Sequence, residues 1–129
     1  TSGWLAWVKP QAGTGFSLAD MELCWTNRPI SARTFFGGRR DGNQHPTQKT
    51  VEVMLWTLGF FFFFKIILDP FMGSGTTLVA CAKTGKSGIG IELDPDYFDI
   101  ACRRVREAYA QPDFFIANDN KPAKQEAMI

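Results

Sequence analysis

Apolar residues fall into short runs along the chain, separated by glycine, proline and polar residues, and each run predicts an element of structure. Trp4–Val8 and Met21–Thr26 are predicted strands, each followed closely by a proline. A helix is predicted from His45 to Gly59, because apolar residues recur there at helical spacing along one face. The recurring residues are Val51, Met54, Leu55 and Leu58.

The second half of the chain alternates between strand and helix patterns. The branched apolar run Ile66–Leu68 predicts a strand that leads directly into a turn with two glycines. Gly85 and Asp94 are typical of a helix C-terminus and a helix N-cap. The elements predicted after the turn are a helix over Thr76–Lys83, a strand over Ser87–Leu93 and a helix over Pro95–Ala110. This order predicts an α/β fold with two parallel strands joined by a right-handed crossover.

Two further segments are distinctive in composition. Ser31–Gln44 is polar and is predicted to be an exposed basic loop, with Arg33, Arg39 and Arg40 as its cations. A solvated connector accounts for this composition equally well. Phe60–Phe64 is a run of five phenylalanines, which fits either a buried edge or an aggregation-prone stretch.

Composition narrows the class of protein. With 129 residues, 45% of them hydrophobic, the chain has material for one domain, predicted over 1–110 with a polar tail over 111–129. A net charge of +1 does not by itself indicate a nucleic-acid partner. Three cysteines without metal-ligand spacing fit a reducing cytoplasm and predict no metal site. The longest apolar run is interrupted by Lys65 and is too short to span a bilayer, so no membrane partner is expected. A first residue of Thr1 fits either processing or a piece of a longer protein.

Candidate chemistry is concentrated at the turn after Ile66–Leu68. Asp69 at the strand end could receive an ammonium group, and the N-terminus of the next helix could receive a carboxylate. Glu92, seventeen residues after Gly75, stands where an acid accepts hydrogen bonds from ribose hydroxyls in dinucleotide-type folds. S-adenosylmethionine carries an ammonium group, a carboxylate and ribose hydroxyls, so it fits this arrangement. The turn lacks the lysine of a Walker A loop and does not match G-x-G-x-x-G, and an ordinary tight turn without a ligand remains the alternative.

Three motifs in order resemble those of the DNA amino-methyltransferases, which methylate adenine N6 or cytosine N4. Asp69–Thr77 resembles their cofactor-binding motif, and Gly90–Asp94 resembles the ribose-binding motif that follows it. His45–Lys49 resembles the motif that precedes the cofactor motif in the group with permuted motif order. Tyr97–Ala101 and Arg103–Arg104 resemble the next helix of the family, and the Trp4–Asn27 pattern is similar to that of phage and prophage methylases.

The resemblance implies a Rossmann-like S-adenosylmethionine-dependent methyltransferase sheet that is incomplete at its N-terminal side. Its implied activity is methyl transfer to an exocyclic amino group of double-stranded DNA, as in restriction–modification. The implied cofactor-binding residues are His45, Thr47, Gln48, Lys49, Asp69, Phe71, Met72, Gly73, Ser74, Gly75, Thr76, Glu92 and Leu93. The implied DNA-binding residues are Arg33, Arg39 and Arg40. His45 could equally be a structural residue at the start of its helix.

The sequence departs from the family pattern in three places. The five phenylalanines of Phe60–Phe64 stand where the family commonly has a short, more polar loop. Thr50 stands where the family usually has proline, which a helix start tolerates. The catalytic Asp/Asn-Pro-Pro-aromatic tetrapeptide is absent, so no catalytic residue is predicted. A cofactor-binding remnant, or a subunit completed by a homodimer or by another segment, is therefore the main alternative. A methyltransferase acting on RNA or a small molecule is the other.

Overall fold

A computed structural model describes residues 2–15, 19–37 and 48–111 of the chain. These residues form two compact units, Thr1–Phe63 and Phe64–Ile129. Each unit has its own sheet, with three strands in the first and two in the second. The predicted domain over 1–110 spans both units and stays a prediction.

The first unit is built on the hairpin of β1 (Gly3–Val8) and β2 (Met21–Thr26), which pair antiparallel. Both predicted strands are confirmed. A third strand, β3 (Arg33–Phe36), pairs parallel to β1, so the strand order is β2-β1-β3. Leu5, only 2% exposed, lies in the central strand and anchors the core of this sheet.

The prediction of an exposed basic loop over Ser31–Gln44 is wrong for Arg33–Phe36, which form β3. Thr34, Phe35 and Phe36 favour strand conformation, and β1 offers them a pairing edge that is distant in sequence. The indole of Trp7 also donates to the carbonyl of Gly37 at 2.6 Å, which holds the end of the strand. Arg39 and Arg40 lie outside the described residues.

Helix α1 runs over Val51–Gly59, so the prediction that it begins at His45 is wrong for the described residues Gln48–Thr50, which precede the helix. Thr50 is the N-cap, and its hydroxyl accepts a hydrogen bond from the Val53 N–H at 3.3 Å. A proline at this position would provide no such acceptor. Gly59 is the last helical residue, with Phe60 as the C-cap.

The phenylalanine run lies after α1 and is largely exposed. Phe62 is 73% exposed and Phe63 is 51% exposed, so the interpretation as a buried edge is wrong for these residues. Phe60 differs, because its ring packs edge-on against Trp56 with centroids 5.1 Å apart. Trp56 in turn contacts Phe35 of β3, with centroids 5.5 Å apart.

The second unit has the predicted strand–helix–strand–helix order. Its strands β4 (Ile66–Asp69) and β5 (Ser87–Gly90) pair parallel, as predicted. Helix α2 (Thr76–Lys83) connects them, and α3 (Pro95–Ala110) follows β5. The described helices include none long and apolar enough to cross a membrane.

Strand β5 ends at Gly90, and the prediction that it continues to Leu93 is wrong. After Gly90 the backbone bonds the last residue of β4 and the loop that follows it. The Ile91 N–H donates to the Asp69 carbonyl at 2.9 Å, and the Ile91 carbonyl accepts from the Met72 N–H at 3.0 Å. Glu92 therefore lies in a loop beside the turn rather than within a strand.

The core of the second unit lies between α2, α3 and one face of the sheet. Val79, Ala80 and Cys81 of α2 and Ala101 of α3 are buried there. Gly90 lies close under this packing, because a Cβ atom at that position would meet the ends of the Met72 and Leu78 side chains, which would have to shift. The predicted N-cap is confirmed, since Asp94 accepts from the N–H groups of Asp96 and Tyr97. The prediction of Gly85 as the C-cap of α2 is wrong by one residue, because Thr84 is the C-cap and Gly85 follows it with a left-handed φ of 68°.

Candidate functional site

The turn between β4 and α2 is shaped by two glycines with left-handed backbone angles. Gly73 has φ of 52° and Gly75 has φ of 80°, which other residues adopt only with strain. The Gly75 N–H closes the turn onto the Met72 carbonyl at 2.8 Å, and Gly75 is the N-cap of α2. The tight turn therefore places the N-terminus of α2 close to the C-terminal end of β4.

Asp69 stands at the C-terminal end of β4 and is half-buried. Its Oδ1 accepts a hydrogen bond from the Phe71 N–H at 3.1 Å, which orients the carboxylate at the start of the turn. A carboxylate has about four lone-pair sites, so this bond leaves acceptor capacity for a ligand ammonium group.

Glu92 lies in the loop between β5 and α3, and its carboxylate connects this loop to the turn between β4 and α2. Oε2 accepts from the Gly73 N–H of the turn at 2.8 Å, and Oε1 accepts from the Asp94 N–H at 2.9 Å. Hydrogen bonds to a charged acceptor are stronger than neutral ones, so Glu92 fixes the position of the turn. Its remaining lone pairs can accept from a vicinal diol.

The other predicted cofactor residues of this unit divide by exposure. Phe71 is 88% exposed and Leu93 is 97% exposed, so both side chains are available to a ligand. Met72, Ser74 and Thr76 are at most 7% exposed. The Met72 side chain lines an open groove of about 240 Å³ beside α3, together with Phe98 and Val105, and therefore packs within the protein.

Arg104 belongs to the site and was missed as a site residue by sequence reasoning. Its Nη1 donates to the Ser74 carbonyl at 2.7 Å, to the Ser74 hydroxyl at 3.0 Å and to the Thr76 hydroxyl at 3.1 Å. The available signal was the resemblance of Arg103–Arg104 to the next helix of the family, which did not connect Arg104 with the turn. In the structure Arg104 lies three residues after the buried Ala101 and so on the same side of α3.

The predicted site residues of the first unit have a different environment. Lys49 forms an ion pair with Glu22 at 2.8 Å, and Lys9 pairs with the other oxygen of Glu22 at 2.9 Å. Partial burial would raise the pKa of Glu22, but the hydrogen bonds and charges of the two lysines outweigh it and lower that pKa. Gln48 is half-buried and Arg33 is exposed. His45 and Thr47 lie outside the described residues.

Cys81 lies in α2 behind the turn and is 1% exposed. Burial raises the pKa of its thiol, the positive charge of Lys86 partly opposes this effect, and the negative charge of Asp69 adds to it. The thiol is therefore neutral near pH 7 and does not supply a nucleophile.

A comparison of the sequence with models of known protein families identifies one family. The family of N6/N4 methyltransferases described as DNA methylase matches residues 19–103 of the chain. The chain therefore belongs to the N6/N4 DNA methylase family.

Individual relatives resemble parts of the chain. It is 53% identical over 49 residues to the Type II methyltransferase M.ScaI of Streptomyces caespitosus. This match covers 38% of this chain and 16% of M.ScaI. It is 36% identical over 86 residues to the putative methylase YubD of Escherichia coli K12, covering 65% of this chain and 38% of YubD. The matches thus span well under half the length of these relatives.

Solved structures show the same fold. The M1.HpyAVI–SAM complex superposes with a TM-score of 0.60 at 27% identity, over 79% of this chain and 60% of that one. A putative DNA modification methylase of Thermus thermophilus, TTHA0409, complexed with S-adenosyl-L-methionine, gives a TM-score of 0.58 at 21% identity, over 86% and 54%. The predicted Rossmann-like methyltransferase fold is confirmed, with a partial sheet in the described residues.

Proposed function

We propose that this chain binds S-adenosylmethionine and forms the cofactor-binding part of a DNA amino-methyltransferase. The observation that carries the proposal is the connection of Glu92 to the Gly73 N–H at 2.8 Å, which holds a diol-binding carboxylate beside the turn. Family membership and the S-adenosylmethionine bound to M1.HpyAVI support the choice of cofactor.

Each end of the cofactor has a proposed partner in the second unit. Asp69 accepts hydrogen bonds from the methionine ammonium, Glu92 accepts from the ribose hydroxyls, and Leu93 lies against the adenine ring. Phe71, Gly73 and Gly75 shape the pocket, while Ser74, Thr76 and Met72 support it from within the protein. The N–H groups of Gly73 and Gly75 already donate within the site, so they do not hold the methionine carboxylate.

The carboxylate is assigned to the segment that contains Gln48 and Lys49, with His45 and Thr47 closing over the methionine end. Lys49 is paired with Glu22, so in this proposal its ammonium group shares or exchanges that partner when the cofactor binds. The position of His45–Lys49 before Asp69 along the chain is the basis for proposing the permuted motif order.

The proposed substrate is double-stranded DNA, methylated at adenine N6 or cytosine N4. Arg33 is exposed on β3 and could contact a phosphate, as could Arg39 and Arg40. The names of the Type II relatives support a role in restriction–modification, and the Trp4–Asn27 pattern supports a phage or prophage origin. The proposed location is the cytoplasm.

A second candidate is a cofactor-binding module without catalysis of its own. The 129 residues contain no Asp/Asn-Pro-Pro-aromatic tetrapeptide, and no catalytic residue is assigned. A homodimer partner or another segment would then supply the acceptor that holds the target amino group.

Isothermal titration calorimetry with S-adenosylmethionine tests cofactor binding. We expect Asp69→Ala and Glu92→Ala each to weaken binding about 10- to 100-fold, because each removes a charge-assisted hydrogen bond to the ligand. Asp99→Ala and Glu107→Ala are matched controls, since both carboxylates are exposed on α3. Absence of binding by the folded wild-type chain, or equal losses in the controls, would contradict the proposal.

Transfer of a radiolabelled methyl group to DNA separates the two candidates. Labelling of adenine or cytosine by this chain alone supports the complete enzyme and contradicts the module. Cofactor binding without transfer supports the module.

A further inference from the structure

Arg104 contacts the glycine turn at residues other than the one that Glu92 bonds. One nitrogen of its guanidinium donates to three oxygens, which belong to Ser74 and Thr76, at 2.7 to 3.1 Å. Ser74 is 3% exposed and Thr76 is 6% exposed, so both acceptor residues are buried, whereas Arg104 is half-buried. Arg104 thus holds the turn at Ser74 and Thr76, while the carboxylate of Glu92 holds it at Gly73.

Helix α3 also meets the turn by close packing. A Cβ atom at Gly75 would lie 2.8 Å from the Cβ of Ala101, so the helix surface touches the backbone of the turn. Ala101 and Arg104 are three residues apart and face the same way. Together they fix both the distance of the turn from α3 and its orientation.

Stabilisation of α2 does not explain an arginine at this place. A cation near a helix N-terminus is unfavourable, because the dipole places partial positive charge there. The three oxygens that this nitrogen bonds are a carbonyl and two hydroxyls of the turn. The contacts are therefore suited to holding a backbone that contains two left-handed glycines.

We propose that Arg104 is a positioning residue for cofactor binding, which holds the Gly73–Thr76 turn in the conformation that accepts the ligand. This inference rests on the proposed function, since it requires the site to bind S-adenosylmethionine. Arg104 acts through Ser74 and Thr76 and does not itself touch the ligand.

The test compares S-adenosylmethionine affinity in the wild-type chain, Arg104→Ala and Arg103→Ala. Arg103 is the adjacent, exposed arginine of α3 and serves as the matched control. We expect Arg104→Ala to weaken binding about 10- to 100-fold, the loss typical of hydrogen bonds from a charged donor. Arg103→Ala should bind like the wild type.

Chemical rescue distinguishes positioning from general destabilisation. Guanidinium chloride, at a concentration that leaves the far-UV circular dichroism unchanged, should restore part of the affinity of Arg104→Ala, whereas sodium chloride at equal concentration should not. Arg104→Lys serves if the alanine variant does not fold. It keeps the charge but not the planar donor group, so we expect weaker binding than in the wild type.

Each result decides the proposal. Affinity in Arg104→Ala equal to the wild type overturns it, and so does a loss that guanidinium leaves unchanged. If Arg104→Lys is the only folded variant, wild-type affinity in it overturns the proposal. Failure of the wild-type chain itself to bind contradicts the proposed function, which this design separates from failure of the inference alone.

Discussion

At the scale of single residues, Gly75 shows most directly how the sequence determines the site. Its φ of 80° belongs to the left-handed region, and Ala101 lies where a side chain would stand. Two separate requirements, backbone angle and space, therefore select glycine. Only the first could be predicted from the sequence, because the approach of α3 depends on the tertiary fold.

We predict that Gly75→Ala lowers the free energy of unfolding by about 2 to 4 kcal/mol, since it adds a steric overlap to the backbone strain. Gly85→Ala is the matched control. It shares the positive φ, 68°, but has no atom within 4 Å of the added Cβ, so we expect a loss of only about 1 kcal/mol. Urea unfolding measures both, and equal losses would show that the Ala101 contact carries no cost.

The residues of the site were predictable to different degrees. Asp69 and Glu92 could be selected because strand ends and motif spacing identify them, and both lie beside the same turn. The use of Glu92 as a bridge to Gly73 was not predictable, nor was the contact of Arg104 with Ser74. Both contacts join residues far apart in sequence, 19 residues for Glu92 and Gly73 and 30 for Arg104 and Ser74, so they depend on the tertiary fold.

At the scale of elements, regular patterns predicted the structure well and long-range pairing did not. The periodic helix α3 and its Asp94 cap agree with the sequence analysis. Strand β3 was not predicted, because four residues in a basic, glycine-containing segment show no clear strand pattern. Their pairing partner, β1, is also distant in sequence. Strand β5 was predicted too long because Ile91 continues the apolar alternation after the ladder has ended.

The N-cap of α1 gives a prediction at this scale. Thr50→Val keeps the shape of the side chain but removes the oxygen that accepts from Val53, so we expect the free energy of unfolding to fall by about 1 kcal/mol. Thr50→Ser retains the oxygen and should lose less. Chemical denaturation followed by circular dichroism measures both, and a valine variant as stable as the wild type would contradict the cap.

The ion pairs of Glu22 predict a pH dependence. Because its folded pKa is lowered from the ordinary value of 4.5, the pairs stabilise the fold above that pH and lose this effect as pH falls through the folded pKa. The contribution should be at most about 1 kcal/mol, since the pair is partly exposed.

Carbon-13 NMR titration of the Glu22 carboxylate checks this. We expect its pKa to lie below 4.5 in the wild type and to rise in Lys49→Met, which removes one of the two partners. A pKa unaffected by this substitution would show that Lys49 does not interact with the carboxylate in solution.

At the scale of the whole molecule, the chain combines two compact units, and the predicted cofactor residues are divided between them. Asp69, the glycine turn and Glu92 form one connected cluster in Phe64–Ile129. Gln48 and Lys49 belong to Thr1–Phe63. The proposed function assigns the ribose and ammonium groups of the cofactor to residues of the second unit.

The most direct test of the central claim is a titration of the nitrogen-15-labelled chain with S-adenosylmethionine, followed by NMR. We predict saturable shifts of the backbone amides of Phe71, Gly73 and Asp94, whose N–H groups bond to Asp69 and Glu92. Amides at the C-terminal end of α3 should stay unchanged. An unchanged spectrum of the folded chain, or shifts confined to residues away from this turn, would contradict the account.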